Sequence, residues 1–165
     1  MVEASVRGSR AFSNLRGKVA GMLMLPAVAA LVLTACNSGN DEGGKFDVKL
    51  SGADEVCANP SQCGGNGSGE ATIEINSDRN RICYDMKLEG MKDVTAAHIH
   101  DGEKGKAGPV VVNLNYSGGD TGGKGCVDGI DESTLEKVSK DPDKHYVNVH
   151  TKQYPDGAAR GQLKD

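Results

Sequence analysis

The residues best suited to chemistry are three histidines. His98 and His100 stand two apart in VTAAHIH (94–100), and His150 closes YVNVH (146–150) with Asn148 two positions before it. Successive side chains of a strand point to opposite faces, so His98 and His100 share one face, and Asn148 and His150 share a face of another strand. Imidazole is a good ligand for copper and zinc, and three imidazoles with an open position make a workable binding or catalytic site for either. The plainer alternative is a hydrogen-bonded polar network of His98, His100 and Asn148 that pins two strands together, because a buried imidazole must satisfy both ring nitrogens. Both readings stay open on these residues alone. Arg160 has two readings as well: an anion or substrate beside the histidines, or an ion pair with a nearby carboxylate such as Asp156 or Asp101. His145 opens the second strand and is expected to face solvent, with no role. Asp54-Glu55 and Asp101-Gly102-Glu103 lack the dense oxygen spacing of a calcium loop and read as solvated turns.

The elements that must position these side chains are strands. Phe46, Val48 and Leu50, then Ala71, Ile73 and Ile75, then Ile82, Tyr84, Met86 and Leu88 alternate with polar residues at period two. SDRN (77–80) sits between the second and third runs and predicts a hairpin. Segments 94–100, 109–114, 146–150 and 158–163 supply four more strands. Seven strands divided by Gly-rich turns predict an all-β fold, a Greek-key β-sandwich (immunoglobulin-like) or small barrel. One short helix is expected in DESTLEKVSK (131–140), capped by Asp131 and stopped by Asp141-Pro142. GGDTGGKG (118–125) fits G-x-x-x-x-G-K, yet has Gly125 where a phosphate loop needs Ser or Thr, and reads as a flexible loop.

The N-terminus carries an address. Arg7, Arg10, Arg16 and Lys18 precede a fifteen-residue apolar run, residues 19–33, which is short of the ~20 residues that span a bilayer. Leu33-Thr34-Ala35-Cys36 follows directly and resembles the lipobox of bacterial lipoproteins. On that resemblance residues 1–35 are a signal peptide, Cys36 becomes the acylated (palmitoylated) N-terminus, and residues 36–45 are a flexible tether to a domain at 46–165. Several acyl chains, at ~0.8 kcal/mol per buried CH₂, hold a protein on a membrane where one chain does not. Losing the leader removes four basic residues and Glu3 and leaves 15 basic against 22 acidic side chains, a net charge of -7. That balance excludes a nucleic-acid partner working through phosphates. With 25% charged residues and a single long apolar run, the 165-residue chain is not a multi-spanning membrane protein. The expected location is the cell membrane or cell envelope, lipid-anchored and extracytoplasmic.

With Cys36 committed to lipid, Cys57, Cys63, Cys83 and Cys126 remain, an even number in an exported chain. Three connectivities exist; the favoured one joins Cys57 to Cys63 and Cys83 to Cys126. Their spacing lacks the paired C-x₂₋₄-C of zinc ribbons.

Two blocks carry a family resemblance. AAHIHDG (96–102) with Gly105, GPVVV (108–112) and Leu114, and then YVNVHT (146–151) with Pro155, Gly157 and RGQL (160–163), resemble the CHRD domain, as does the opening LSGADEV (50–56). The likeness spans 46–163 and departs at Ala158-Ala159 and in the 57–69 insertion. CHRD domains take their name from chordin, an extracellular antagonist of growth factors, so the resemblance implies an exported binding or structural module with an extracellular protein as candidate partner. More remotely, the His-x-His strand, the Val-x-Val-His-like strand and GAARG (157–161) are similar to the copper-ligand strands and active-site Arg region of copper/zinc superoxide dismutases. That likeness would make His98, His100 and His150 copper ligands and Arg160 an anion guide, with Asn148 beside them; the zinc ligands and bridging His have no counterpart. Fold similarity does not establish activity. The leading expectation is therefore a lipid-anchored module without a defined catalytic residue; the alternative is a copper or zinc metalloprotein with superoxide dismutase-like chemistry.

Overall fold

The computed structural model describes residues 43–164. The leader, Cys36 and the tether as far as residue 42 lie outside the described residues. Eight strands form one antiparallel, nearly closed sheet: β1 (Lys45–Ser51), β2 (Ser68–Asn76), β3 (Arg81–Glu89), β4 (Val94–Asp101), β5 (Val110–Asn113), β6 (Gly122–Asp128), β7 (His145–Thr151) and β8 (Ala159–Gln162). Their spatial order is β5-β4-β7-β8-β1-β2-β3-β6. The all-β expectation, with one short helix, is met. Among the described residues no helix is long and apolar enough to cross a membrane.

Period two explains the layering. Val48 and Leu50 on β1, Ala71, Ile73 and Ile75 on β2, and Ile82, Tyr84, Met86 and Leu88 on β3 point into a shared core with Ala97, Ile99, Val147 and Val149. The predicted hairpin joins β2 to β3 through a 3₁₀ turn at Ser77–Arg79, closed by Asn80 in the left-handed region. Helix α1 (Glu132–Lys140) begins where Asp131 accepts a hydrogen bond from the Thr134 amide, and its Leu135 and Val138 are fully buried. Gly161 is required where β8 crosses β1, since a side chain there would begin 2.1 Å from the Lys49 carbonyl oxygen.

Three expectations change. The domain starts within the expected tether: Lys45 is already in β1 with its ammonium 2.6 Å from Glu74, and the Gly44 carbonyl accepts from the Ile75 amide. Residues 122–128, the first four of which are expected in a flexible loop, form the edge strand β6 against β3. Main-chain pairing needs no side-chain alternation, and Cys83–Cys126, directly opposite each other, staple the edge to its neighbour. His145 does not face solvent. It is 5% exposed, and its Nδ1 lies 2.8 Å from the Asp141 carbonyl oxygen.

Both favoured disulfides are formed, Cys57–Cys63 and Cys83–Cys126. The second joins residues 43 apart in sequence. A closed loop of that length stabilises by up to ~4 kcal/mol on the chain-entropy account. Replacing both Cys83 and Cys126 by Ser is expected to lower unfolding free energy by about 2–4 kcal/mol and to expose the β6 amides to exchange before those of β2. Urea denaturation with hydrogen exchange checks this; an unchanged midpoint would refute it.

Candidate metal centre

Strand register brings the histidines together. In the β4–β7 ladder His98 faces Asn148, His100 faces Tyr146 and Ala96 faces His150. The small Ala96 leaves room for the His150 ring to lean across, and its centroid lies 4.8 Å from that of His98 and 5.9 Å from that of His100. One ring nitrogen from each of the three residues falls within 4.8 Å of the others. An ion with Zn–N bonds of ~2.0–2.1 Å holds its nitrogens ~3.3–3.6 Å apart, so a gap of 4.8 Å has to close by about 1.2–1.5 Å.

The hydrogen bonds of the rings decide which nitrogens are available. His100 Nδ1 lies 2.9 Å from the Gly108 carbonyl oxygen and His150 Nδ1 lies 2.9 Å from that of Pro155. A carbonyl only accepts, so each Nδ1 carries the proton and each neutral ring leaves Nε2 as a bare lone pair. Both Nε2 atoms, and Nδ1 of His98, are buried without a hydrogen-bond partner. Burial, the larger cause, and the neighbouring imidazoles lower the His98 pKa to about 4; burial also lowers those of His100 and His150. Near neutral pH the rings are thus uncharged and need lose no proton to bind a cation.

The direct polar network considered above is not what these residues make. His98 Nδ1, His100 Nε2 and Asn148 Oδ1 all lack partners, and the Asn148 amide instead favours the ionised form of the neighbouring Glu55 carboxylate. Arg160 sits on the same outer face and is 3% exposed. Its guanidinium lies 3.5 Å from the centroid of the Tyr146 ring, which in turn stacks on His100. Its N–H groups donate to the carbonyl oxygens of Lys106 (3.0 Å) and Glu103 (3.5 Å) and to Gln162 Oε1 (3.4 Å). Neither Asp156 nor Asp101 is its partner. Arg160 pins the 103–106 loop over the strands, and that loop runs on to Gly108, whose carbonyl orients His100.

Glu55 is the residue that sequence reasoning missed. Its place in the Asp54-Glu55 turn predicts a solvated side chain, yet its Oε1 is buried without a partner. Desolvation, the dominant cause, raises its pKa from 4.5 to about 7 against the opposing effects of Arg160 and Asn148. Gly157, at φ 143°, lies beneath it: a side chain there would begin 2.6 Å from Glu55 Oε2 and 2.8 Å from Asn148 Nδ2. No local pattern announces this packing, because it joins residue 55 to residues 148 and 157.

These features define a small disulfide-stapled β domain whose outer face buries a cluster of unpaired polar atoms, the frame of a binding or structural module. The chain belongs to the CHRD domain family, whose family model matches residues 46–163. No curated protein and no solved structure is matched by the chain.

Glu55 makes a test of the buried face. A carboxyl whose folded pKa lies above its unfolded value keeps more protons in the native state, so its contribution to stability is full below about pH 4.5 and is lost as pH rises to about 7. Glu55→Gln should remove that slope, leaving the metal-free variant more stable than wild type at pH 8 by ~1–2 kcal/mol after discounting for partial exposure. Urea melts between pH 4.5 and 8 measure it, and a difference that does not vary with pH contradicts the buried carboxylate.

Proposed function

We propose that the chain is a lipid-anchored binding module of the cell envelope, outside the cytoplasm, and that its ligand is a copper or zinc ion on His98, His100 and His150. The observation that carries the metal reading is the set of three buried ring nitrogens without a hydrogen-bond partner, two held as bare Nε2 by carbonyl acceptors on Nδ1. Such outer hydrogen bonds orient ligating imidazoles and raise their basicity. The chemistry of the donor set, neutral imidazoles only, suits copper and zinc and not calcium or magnesium. Anchoring through Cys36 is supported by the order of basic region, apolar run and Leu33-Thr34-Ala35-Cys36.

Holding a metal is favoured over superoxide turnover. An anion-guiding Arg turns its donors toward the metal, whereas three of the five N–H donors of Arg160 go to Lys106, Glu103 and Gln162 and its guanidinium lies on the Tyr146 ring. A protein partner, by analogy with chordin, is compatible with this role, the metal then being structural or exchanged at the interface.

Titration of Cu²⁺ and, separately, Zn²⁺ into the purified disulfide-intact protein should show one equivalent bound. Replacing His98 and His150 together by Ala should weaken that binding at least about 100-fold. Wild-type binding no tighter than the double variant's ends the metal reading, and superoxide turnover by the copper-loaded protein would move it to the enzyme. For the anchor, Cys36→Ala should abolish palmitate labelling and shift the chain from the membrane to the soluble fraction. Retention on the membrane would refute the lipid attachment.

A further inference from the structure

The carbonyl that orients His150 belongs to Pro155, in an exposed turn between β7 and β8. A turn that sets the tautomer and tilt of a ligand must itself be held in place. Inside the turn, the Tyr154 amide donates to Thr151 Oγ1 and the Gly157 amide to the Tyr154 carbonyl. From outside, the start of the turn is tied to Asp93, whose carbonyl oxygen accepts from the Lys152 amide and whose carboxylate meets the Lys152 ammonium, while the half that carries Pro155 is fixed by one segment. The Asp156 amide donates to the Gln62 carbonyl at 3.0 Å, the Gly64 amide donates to the Gly157 carbonyl at 2.8 Å, and Cys63 forms a parallel β-bridge with Gly157. The Tyr154 ring lies against Gly65, where a side chain would begin 2.7 Å from the ring.

Gln62, Cys63, Gly64 and Gly65 end or directly follow the ring closed by Cys57–Cys63. Residues 58–62 are all exposed, and the hydrogen bonds of Asn59 with Ser61 and Gln62 stay within the loop. The loop has no apolar core of its own, so the covalent bond is what limits its conformations. His100 is oriented differently, by Gly108, whose amide meets the Tyr146 hydroxyl and whose loop is pinned by Arg160.

We infer that the Cys57–Cys63 disulfide is a positioning element of the histidine centre, acting on His150 through Gln62–Gly64, the Asp156–Gly157 backbone and the Pro155 carbonyl. This rests on the metal reading for its effect on affinity, but not for its effect on the His150 ring. The disulfide does not touch the ligands. It keeps the 62–64 backbone where the turn can bind it, and so keeps His150 Nδ1 as the protonated nitrogen and Nε2 as the free one. Cys83–Cys126, at the far end of the sheet order on β3 and β6, serves as a control: it contributes stability and does not reach His150.

The test compares Cys57→Ser/Cys63→Ser with Cys83→Ser/Cys126→Ser in the full chain, using Zn²⁺ as probe. The first pair should bind Zn²⁺ about 10–100-fold more weakly than wild type, the range for loss of an outer hydrogen bond to a ligand, and the second within about threefold. In the metal-free proteins, long-range ¹H–¹⁵N spectra of the imidazoles should show His150 losing its fixed Nδ1–H tautomer in the first pair only, with His100 unchanged in both. Asp156→Pro, which removes the amide donating to Gln62 and leaves both disulfides intact, should reproduce the His150 change and covers the case in which the first pair fails to fold. Where wild type binds Zn²⁺, equal affinity in the first pair overturns the inference, and so in every case does an unaltered His150 tautomer in both the first pair and Asp156→Pro. If wild type binds no Zn²⁺ while the His150 tautomer still responds, the metal reading fails and the positioning role stands.

Discussion

Strand β7 is buried along its whole length, all seven residues from His145 to Thr151, and the arrangement of the rest follows from covering it twice. Its inward side chains, Val147 and Val149, join the apolar core. Its outward ones, Tyr146, Asn148 and His150, are polar or amphipathic and would ordinarily face water. A strand buried on both faces needs a second cover, and here it is made of loops: 102–109 over Tyr146 and His100, 152–157 over His150, and 52–65 over Asn148. Loops bring backbone carbonyls with them. Those carbonyls take up the Nδ1 protons of His100 and His150 and the N–H groups of Arg160, and they leave the opposite imidazole nitrogens with nothing to bind.

The electrostatics follow from the same burial. A buried unpaired acceptor carries a desolvation cost of ~1–3 kcal/mol, and this face concentrates five, on Glu55, His98, His100, Asn148 and His150. Glu55 and the three histidines among them respond to pH in opposite senses: the histidines resist taking a proton and Glu55 resists losing one. A cation among the histidines would satisfy the three ring nitrogens at once, which no single donor could do. Such a concentration of unmet acceptors is what separates this face from the sheet surface around Cys83 and Cys126, where Lys45–Glu74 and Lys124–Asp85 are ordinary exposed pairs.

Much of the architecture was legible because alternation is a physical requirement of a half-buried strand. Phe46–Leu50, Ala71–Ile75 and Ile82–Leu88 declare themselves, as does the Asp131 cap. Strand β6 did not: GGKGCVD has no apolar period, and its place depends on main-chain pairing with β3 and on one disulfide. His145 could have been read correctly, since a strand extended back by one residue puts it on the same face as Val147 and Val149. Glu55 and Pro155 could not. Their roles come from a buried oxygen and a backbone carbonyl, and neither property belongs to a residue type.

The amino-acid sequence by itself determined the strand faces, and therefore that His98, His100, Asn148, His150 and Arg160 lie on one side of their strands, because side-chain direction alternates with residue number. It also carried the family, through two blocks of residues at fixed separation. Only the tertiary structure decided that the three rings converge, which nitrogen of His100 and of His150 is free, that Arg160 holds a loop and that Glu55 is buried beside Asn148. Those outcomes depend on strand register and on carbonyls contributed by residues 102–109 and 152–157, contacts between segments far apart in the chain that no local pattern encodes.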